Sequence, residues 1–223
     1  MEVRPPSTPI LAGTLSSALP GQIFHVKLRK TEKIRRINNL TPLCTRRLLL
    51  RELRQADLPA VARLLQNETA MYAYKHAFTD ADVQAWLDRQ RRRYAAHGFG
   101  LWAVVLRETG AVIGQAGLTY QPYLDTQVLE VGYLLEPAYW RRGYATEAAR
   151  ACRDYAFGSL GEDKVSSIIK SDNAPPIRVA ERLGMTREAE FTARYFSGEQ
   201  PHVLYSVRRA DAAACFFAGS LLP

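Results

Sequence analysis

The chain has 223 residues, of which 47% are hydrophobic and 23% are charged, a composition that predicts one globular domain with enough apolar residues to fill a core. It has no apolar run of about 18 residues and no basic-then-apolar order at its start, so we expect a cytoplasmic protein rather than a membrane-spanning or exported one. The net charge of +8 arises entirely in residues 1–54, which carry 11 Lys/Arg and 3 Asp/Glu, whereas residues 55–223 carry 19 of each.

Residues 1–44 mix Pro, Gly, Ser and charged residues with little periodicity, which predicts an N-terminal extension of the domain. Its basic segment HVKLRKTEKIRR, residues 25–36, would attract RNA, a ribosome or another acidic partner through salt-sensitive contacts. A solvated tail is the alternative, because no aromatic residues alternate with these charges to stack on bases. We place the domain at residues 45–210 and a short apolar C-terminal tail at residues 211–223.

The first half of the domain is predicted to contain one strand and two helices. The strand is residues 46–53, RRLLLREL. The first helix covers residues 56–67, with apolar side chains on one face at Leu58, Val61, Leu64 and Leu65. Thr79 predicts the start of the second helix as its N-cap, with acidic residues in the first turn, basic residues later and Gly98 as its end.

The second half is predicted to be mostly strands, separated by two helices. The strands are two runs within residues 101–120 that flank a hairpin turn at Glu108-Thr109-Gly110, followed by 128–135, 164–171, 188–196 and 202–209. The helices are residues 145–161 and 175–185, the second opened by prolines and capped by Gly184. The resulting order, β-α-α-β-β-β-α-β-α-β-β, predicts an α/β fold with a mixed sheet and a parallel crossover through the 145–161 helix.

The stretch WRRGYATEAA, residues 140–149, joins a predicted strand to the helix that follows it. A helix N-terminus has unpaired N–H groups and the positive end of the macrodipole, so a phosphate there meets several donors at once. Arg141 and Arg142 add charge and fork-shaped donors, and Gly143 allows a bend that makes successive N–H groups converge. These residues predict a pyrophosphate clamp, with an ordinary exposed loop as the alternative.

This turn, the strand before it and the later NAPPIRVAERLGM together resemble the Gcn5-related N-acetyltransferase (GNAT) superfamily, in the branch typified by the ribosomal-protein alanine acetyltransferases. The resemblance covers about residues 46–209 and includes the Q/R-x-x-G-x-G/A motif that wraps the pyrophosphate of acetyl-CoA, with Trp140 in its first place. It implies the GNAT fold, a mixed central sheet of about seven strands that is splayed in the middle and flanked by about four helices. It also implies an acetyl-CoA-dependent N-acetyltransferase.

The resemblance assigns acetyl-CoA contacts to three parts of the chain. Gly132 to Leu135 match a bulged strand whose main chain pairs with the pantetheine arm while the neighbouring strand splays away, which makes Leu134 and Leu135 main-chain contacts. Asn173 matches an asparagine that contacts this arm, with a helix cap as its alternative role, and Arg178 lies on the facing helix. The remaining contacts are in the motif itself: Trp140, Arg141, Arg142, Gly143, Tyr144 and Ala145.

Acetyl transfer to an amine requires a proton acceptor for the ammonium and a polarised thioester carbonyl. Glu130 matches a position where members of the family often hold an acid, which makes it the candidate base; a solvated or ion-paired glutamate is the alternative. Pro176 stands where relatives often have a serine that protonates the departing thiolate. Because proline cannot do this, the proton donor is expected to be Tyr144 or a water, unless the thiolate leaves without one.

The acceptor is left open between a protein N-terminal α-amine, as in the ribosomal-protein branch, and a small-molecule amine. In the family, the connection between the first two helices borders the acceptor site, so four side chains there are predicted to line it: Tyr72, Tyr74, His76 and Phe78. Simple packing against the domain is the alternative for these aromatic residues. The alternative function is a non-catalytic module on the same fold that binds acyl-CoA, RNA or a ribosome.

The cysteines and histidines give no sign of a metal centre. The three cysteines, Cys44, Cys152 and Cys215, are far apart, which predicts neither a disulfide framework nor a cysteine-based zinc site. The four histidines show no spacing typical of metal ligands. We therefore expect chemistry without a metal.

Overall fold

A single mixed sheet organises the chain. The computed structural model describes residues 43–73, 78–195 and 198–212. The strands are β1 (Leu43–Cys44), β2 (Leu48–Arg51), β3 (Leu101–Leu106), β4 (Val112–Tyr123), β5 (Thr126–Leu135), β6 (Lys164–Lys170), β7 (Thr186–Tyr195) and β8 (Gly198–Arg208). Their spatial order is β1-β2-β3-β4-β5-β6-β8-β7, and every neighbouring pair is antiparallel except β5 and β6.

Four α-helices of eight or more residues flank the sheet in the described part of the chain. They are α1 (Leu58–Leu65), α2 (Asp80–His97), α3 (Tyr144–Tyr155) and α4 (Ala174–Arg182). The parallel pair of β5 and β6 is joined through α3, so the predicted crossover and the predicted α/β class are confirmed. Within the described ranges no helix is both long and apolar enough to cross a membrane.

The sequence signals for the helix ends are confirmed at α2 and α4. Thr79 caps α2: its hydroxyl accepts a hydrogen bond from Asp82 N (3.2 Å), and the Asp82 carboxylate accepts one from Thr79 N (2.9 Å). After α4, Gly184 N donates to Glu181 O (2.9 Å) and Met185 N donates to Ala180 O (3.1 Å), the double hydrogen bond of a Schellman ending.

The two faces of the sheet are covered by different helices. One core cluster joins α1 and α2 to the sheet, with Val61, Trp86 and Leu101 among its buried members. The larger cluster includes Cys152 of α3 and Ala180 of α4, both fully buried. Val61, Leu64 and Leu65 of α1 are buried, as the spacing of apolar residues in this helix predicts.

The sheet contains one strand more than the sequence predicted, because the short strand β1 lies before the predicted domain start at Thr45. Leu43 pairs with Leu50, and Cys44 pairs with Leu49. A strand of two residues is too short to show the alternation of apolar and polar residues that identifies a strand in a sequence. It can be identified only in the structure, from its pairing with β2. The rest of the predicted extension, residues 1–42, and most of the predicted tail, residues 213–223, lie outside the described residues.

Gly117 of β4 marks a close approach between two segments of main chain. A Cβ atom placed there would overlap the Gly100 carbonyl oxygen, which accepts a hydrogen bond from Leu118 N (3.2 Å). Residue 100 leads directly from α2 into β3, so this contact fixes the height at which α2 sits above the sheet.

We expect Gly117→Ala to lower the free energy of unfolding by on the order of 3 kcal/mol, because the added methyl group forces two backbones apart in a packed core. Chemical denaturation of both proteins measures this change. Gly158→Ala is the matched control, since nothing lies within 4 Å of a Cβ atom at that position. Equal stabilities for the two variants would contradict the close approach.

Candidate active site

The centre of the sheet is open on one side of β5. Along their described lengths, β5 and β6 pair at a single position, Glu130 with Ser166. The main chain of residues 131–135 therefore has no strand partner on the side facing β6. The resemblance placed the main-chain contacts of Leu134 and Leu135 in this segment, so the splayed centre predicted from the sequence is present.

Side chains bridge the start of this opening. Ser167 Oγ donates a hydrogen bond to Val131 O (2.9 Å), and Glu130 Oε1 accepts one from Ile168 N (3.2 Å). Each bond satisfies a main-chain group that the missing ladder would otherwise leave unpaired. The strands therefore separate without orphaned groups at the point of divergence.

The predicted bulge in Gly132 to Leu135 is wrong. β4 and β5 pair in unbroken register along the whole hairpin, from Gly114 opposite Leu135 to Tyr123 opposite Thr126. A register shift occurs instead between β3 and β4, at Val104/Val105. The opening therefore results from the divergence of β6, not from an extra residue in β5.

The loop between β5 and α3 has an anion-binding shape. Arg141 (φ 59°) and Gly143 (φ 79°) both have left-handed backbone conformations, which turn successive N–H groups toward one side. α3 begins at Tyr144, and its first hydrogen bond to the loop runs from Glu147 N to Gly143 O (3.0 Å). The N–H groups of residues 144–146 thus lie outside the ladder of the helix and at its positive end.

Trp140 fastens the start of this loop to the end of β5. Its indole Nε1 donates a hydrogen bond to Leu135 O (2.7 Å), while 42% of the side chain remains exposed. Arg141 and Arg142 are exposed, and Ala145 is half-buried in the first turn of α3. The motif residues predicted to bind the cofactor thus lie together around one turn.

Arg47 holds the loop from the other side, a role that no sequence motif indicated. Its Nε donates to Glu147 Oε2 (2.7 Å) and its Nη1 donates to Arg142 O (3.0 Å). Thr45 Oγ1 donates to the other carboxylate oxygen of Glu147 (2.6 Å). A Cβ atom at position 143 would lie 3.4 Å from Arg47 Nη2, so the guanidinium of Arg47 passes directly beside the left-handed glycine. The contacts of Arg47 and Thr45 with Glu147 and the loop form a latch.

The charge on Glu147 depends on the same contacts. Burial by itself would raise the pKa of the Glu147 carboxyl, but hydrogen bonds from Thr45 and Arg47 outweigh it and lower the pKa below its ordinary value. Glu147 is therefore ionised at neutral pH, and the latch holds.

Tyr144, the proton donor suggested by the sequence, occupies a supporting position. Only 9% of the side chain is exposed, and the Arg47 guanidinium carbon lies 4.4 Å from the centre of its ring. The ring packs within the main core cluster at the first turn of α3. This position supports the loop through a cation–π contact and argues against proton delivery.

Glu130 lies in a polar enclosure at the point where the sheet opens. Besides the bond from Ile168 N, its Oε2 lies 3.5 Å from Thr119 Oγ1, and Gln121 also donates to the carboxylate. Burial raises the pKa of Glu130, and these hydrogen bonds and the charge of Arg93 offset only part of that rise. A carboxylate with a raised pKa is better matched to accepting a proton from an ammonium group.

Tyr133 is a second residue that the sequence did not single out. Its hydroxyl donates a hydrogen bond to Pro176 O (3.0 Å), at the position where a serine was expected. Burial raises the pKa of Tyr133, and the charge of Glu130 adds to the rise, so the phenol stays protonated at neutral pH. The chain thus places a hydroxyl from β5 where the proline of α4 cannot supply one.

The start of α4 contacts β5 through Pro176, whose carbonyl oxygen accepts the hydrogen bond from Tyr133. Asn173 occupies the N-cap position, yet its side chain makes no capping hydrogen bond. Its main chain starts the turn by donating from N to Lys170 O (2.9 Å). The helix-cap alternative for this side chain is therefore not realised, and Arg178 lies exposed on the first half of α4.

Only part of the predicted acceptor lining can be placed. Tyr72 is 45% exposed, and Lys170 Nζ lies 5.8 Å from the centre of its ring. Phe78 belongs instead to the core, where its ring meets Trp86 edge-on with centroids 6.0 Å apart. The packing alternative therefore describes Phe78 better than an open cleft does, while Tyr74 and His76 lie outside the described residues.

Comparisons with known proteins agree with this arrangement. The family model described as "Acetyltransferase (GNAT) domain" matches residues 47–186. The uncharacterized protein YkkB of Bacillus subtilis is 34% identical over 150 residues, which cover 67% of this chain and 87% of that protein. The uncharacterized N-acetyltransferase YnaD of the same organism is 29% identical over 150 residues, 67% of this chain and 85% of that protein. A crystal structure of an acetyltransferase from Agrobacterium tumefaciens matches with a TM-score of 0.64 and 30% identity, covering 76% and 95% of the two chains.

We expect Arg47→Met to weaken acetyl-CoA binding roughly tenfold, because the loop loses its ion pair to Glu147 and its hydrogen bond at Arg142 O. Calorimetric titration with acetyl-CoA measures the change. Arg46→Met is the matched control, since it removes the same charge from an exposed neighbour. If both variants bind as tightly as the wild type, Arg47 does not position the loop.

Proposed function

This chain belongs to the GNAT acetyltransferase family and is an N-acetyltransferase, and we propose that it moves an acetyl group from acetyl-CoA to a primary amine by direct attack of the amine on the thioester. The observation that carries the proposal is the continuous path from β5 to α3. Along it lie the carboxylate of Glu130, the edge of β5 beyond Val131 that has no strand partner on the β6 side, and the left-handed turn at residues 141–143.

The residues along this path fit acetyl-CoA. The N–H groups at the start of α3, with Arg141 and Arg142, would hold the pyrophosphate, and the main chain of Leu134 and Leu135 would pair with the pantetheine arm. Trp140, Gly143, Tyr144 and Ala145 shape the same turn, and Asn173 and Arg178 border the arm from α4. Acetyl-CoA supplies the thioester whose carbonyl carbon the amine attacks.

Glu130 is the proposed base. The reaction forms a C–N bond and breaks the C–S bond, and the ammonium must lose a proton before it can attack. Glu130 accepts that proton directly or through a water. Its place at the pairing point of β5 and β6 sets the carboxylate at the edge of the opening, and its raised pKa suits the task.

Tyr133 is proposed to donate a hydrogen bond to the departing thiolate, which then takes its proton from water. This role replaces the earlier hypothesis for Tyr144, whose ring lies under Arg47. The hydroxyl of Tyr133 is already ordered by Pro176 O and stays protonated at neutral pH. A hydrogen bond to the departing sulfur is enough to stabilise the developing charge.

The proline at position 176, which removes the serine hydroxyl common in relatives, by itself favours a non-catalytic module. A hydroxyl supplied by Tyr133 weakens that argument, so catalysis is the better-supported function. The ribosomal-protein branch rests on the WRRGYA motif, and a protein α-amine and a small amine both remain compatible acceptors. A ribosomal or other acidic partner for residues 1–42 also remains a prediction, because those residues lie outside the described ranges.

We expect Glu130→Gln to lower kcat/KM about 10²-fold at neutral pH, the scale of a lost general base. The wild-type rate should fall as the pH drops through the raised pKa of Glu130, because a protonated carboxyl accepts no proton. The variant should lack this dependence, and its deficit should shrink as the pH approaches the pKa of the acceptor amine. Thiol release measured from mildly acidic to alkaline pH tests both effects.

A stability measurement separates this loss from misfolding. Because the pKa of Glu130 is raised in the folded protein, the folded chain holds the proton of Glu130 more tightly than the unfolded chain does. The free energy of unfolding therefore falls as the pH rises from the ordinary pKa of a glutamate to the raised pKa of Glu130. Glutamine avoids that cost and retains an acceptor for Ile168 N, so the variant should be at least as stable as the wild type at neutral pH. Glu136→Gln, which removes a carboxylate paired with Arg63, is the control. Parallel pH profiles with equal rates would show that Glu130 is structural.

Tyr133→Phe and Tyr144→Phe compare the two candidate hydroxyl groups directly. We expect the first to lower kcat roughly tenfold or more with little change in acetyl-CoA affinity, because it removes the hydroxyl proposed to turn from Pro176 O to the leaving sulfur. The second keeps its ring under Arg47 and should retain turnover. Single-turnover thiol release measures both; the reverse ranking would restore the assignment to Tyr144.

A further inference from the structure

Helix α2 covers the face of the sheet toward which Glu130 points. A Cβ atom at Gly132 would lie 3.4 Å from the Leu101 side chain and 4.0 Å from Glu130 Oε2, so these two side chains share one face of β5. Leu101 belongs to the core cluster that also contains Trp86 and Leu87 of α2. The side chains along the flank of α2 therefore stand near the proposed base.

Two arginines on this flank, Arg89 and Arg93, are half-buried and have no anionic partner among the described residues. The guanidinium carbon of Arg89 lies 5.1 Å from the centre of the Trp86 ring, and its Nε is buried without a hydrogen-bond partner. Arg93 Nη1 makes a long hydrogen bond, 3.3 Å, to Gln90 Oε1. Among the ion pairs of the described residues, none includes either arginine.

The electrostatics of these arginines are unfavourable in this structure. Burial lowers the pKa of Arg89, and the charge of Arg92 lowers it further. Burial and then Arg89 lower the pKa of Arg93, and the attraction of Glu130 offsets this only in part, without an ion-pair contact. Two partly desolvated like charges one helical turn apart are costly unless an anion joins them.

Arg153 shows how this fold stabilises a buried arginine that has a structural role. Its side chain is 6% exposed, its Nη1 donates to Leu183 O (2.7 Å), and its Nε and Nη2 both donate to Asp154 Oδ1 (2.9 and 2.7 Å). Arg89 and Arg93 have no such set of acceptors among the described residues. Their terminal guanidinium nitrogens therefore have donors left over for a ligand, although Arg89 Nε is itself enclosed.

We propose that Arg89 and Arg93 bind an anionic group, a carboxylate or a phosphate, on the acceptor amine. The inference rests on the proposed function and names its substrate class: an amine that also carries a negative charge. Glu130 then faces the ammonium end of the acceptor while the two guanidinium groups face its anionic end. The positive charges of the two arginines repel polyamines. Amines without an anionic group make no ion pair with these arginines.

Matched pairs of acceptors test this preference in the full-length protein. The pairs are O-phosphoethanolamine with ethanolamine, β-alanine with propylamine, and leucine with leucinamide. We expect kcat/KM to favour the anionic member of at least one pair roughly 10- to 100-fold, the scale of charge-assisted hydrogen bonds. Arg89→Gln and Arg93→Gln should remove that preference by slowing the anionic amines, and they should not slow the neutral ones.

Arg91→Gln is the control on the same helix, because Arg91 is exposed and its ion pair with Asp88 is long, at 4.0 Å. It should keep the wild-type preference. Wild-type turnover of neutral amines equal to or faster than that of their anionic partners would overturn the proposal while leaving acetyl transfer intact. A preference that survives in both the Arg89 and the Arg93 variant would also overturn it.

A binding measurement keeps the test decisive if no amine in the panel is turned over. The Nε–H signals of the arginines are followed by NMR in protein saturated with CoA, during titration with N-acetylglycine, inorganic phosphate or the neutral N-methylacetamide. The two anions should shift the signals of Arg89 and Arg93 but not that of Arg91, and the neutral amide should shift none. Unmoved signals with both anions would overturn the proposal. Selective shifts in a protein that acetylates no amine would support the anion site and count against the proposed function instead.

Discussion

The divergence of β5 from β6 is the constraint on which the rest of the site depends. A sheet that opens in the middle leaves main-chain donors and acceptors unpaired on both edges, and each such group is costly when buried. Here the side chains of Glu130 and Ser167 satisfy the first of these groups, through Ile168 N and Val131 O. Beyond Val131, the edge of β5 that faces β6 has no strand partner. In the proposed function the pantetheine arm of acetyl-CoA binds along this edge, so the ligand would satisfy the groups that the opening leaves unpaired.

This arrangement gives Glu130 two roles. As a structural group it accepts a hydrogen bond in place of a missing strand partner, and as a chemical group it is a carboxylate whose raised pKa results from the same burial. A carboxylate with only a structural role is expected to have its ionised form stabilised by its neighbours, and therefore a lowered pKa. Glu147 shows this behaviour beside Thr45 and Arg47. Glu130 and Glu147 thus show how environment separates a supporting acid from a candidate base.

Local sequence signals account for much of the fold. The start of α2 at Thr79, the ending of α4 at Gly184 and the turn at residues 140–143 each depend on neighbours within a few residues, and all three are confirmed. The latch of Arg47 on Glu147 joins residues 100 positions apart, and Tyr133 reaches Pro176 across 43. Neither contact leaves a periodic pattern or a motif, because it exists only once the sheet brings the two segments together. The bulge assigned to residues 132–135 failed for a related reason: the family pattern predicts an opening, but not which strand departs.

Charge illustrates the same limit. Residues 55–223 carry equal numbers of acidic and basic side chains, so the domain gives no electrostatic signal as a whole. Within the fold, however, its arginines occupy unlike environments. Arg153 is buried with a carboxylate and a carbonyl, whereas Arg89 and Arg93 are partly desolvated without an ion pair, and Arg93 also feels the charge of Glu130. A neutral total therefore conceals a local excess of positive charge on one side of the proposed base. An ammonium group must approach the proposed base before it can react, and nearby positive charge opposes this approach. An acceptor with its own anionic group neutralises that charge. In this proposal, the preference for anionic acceptors results from the positions of the arginines on α2.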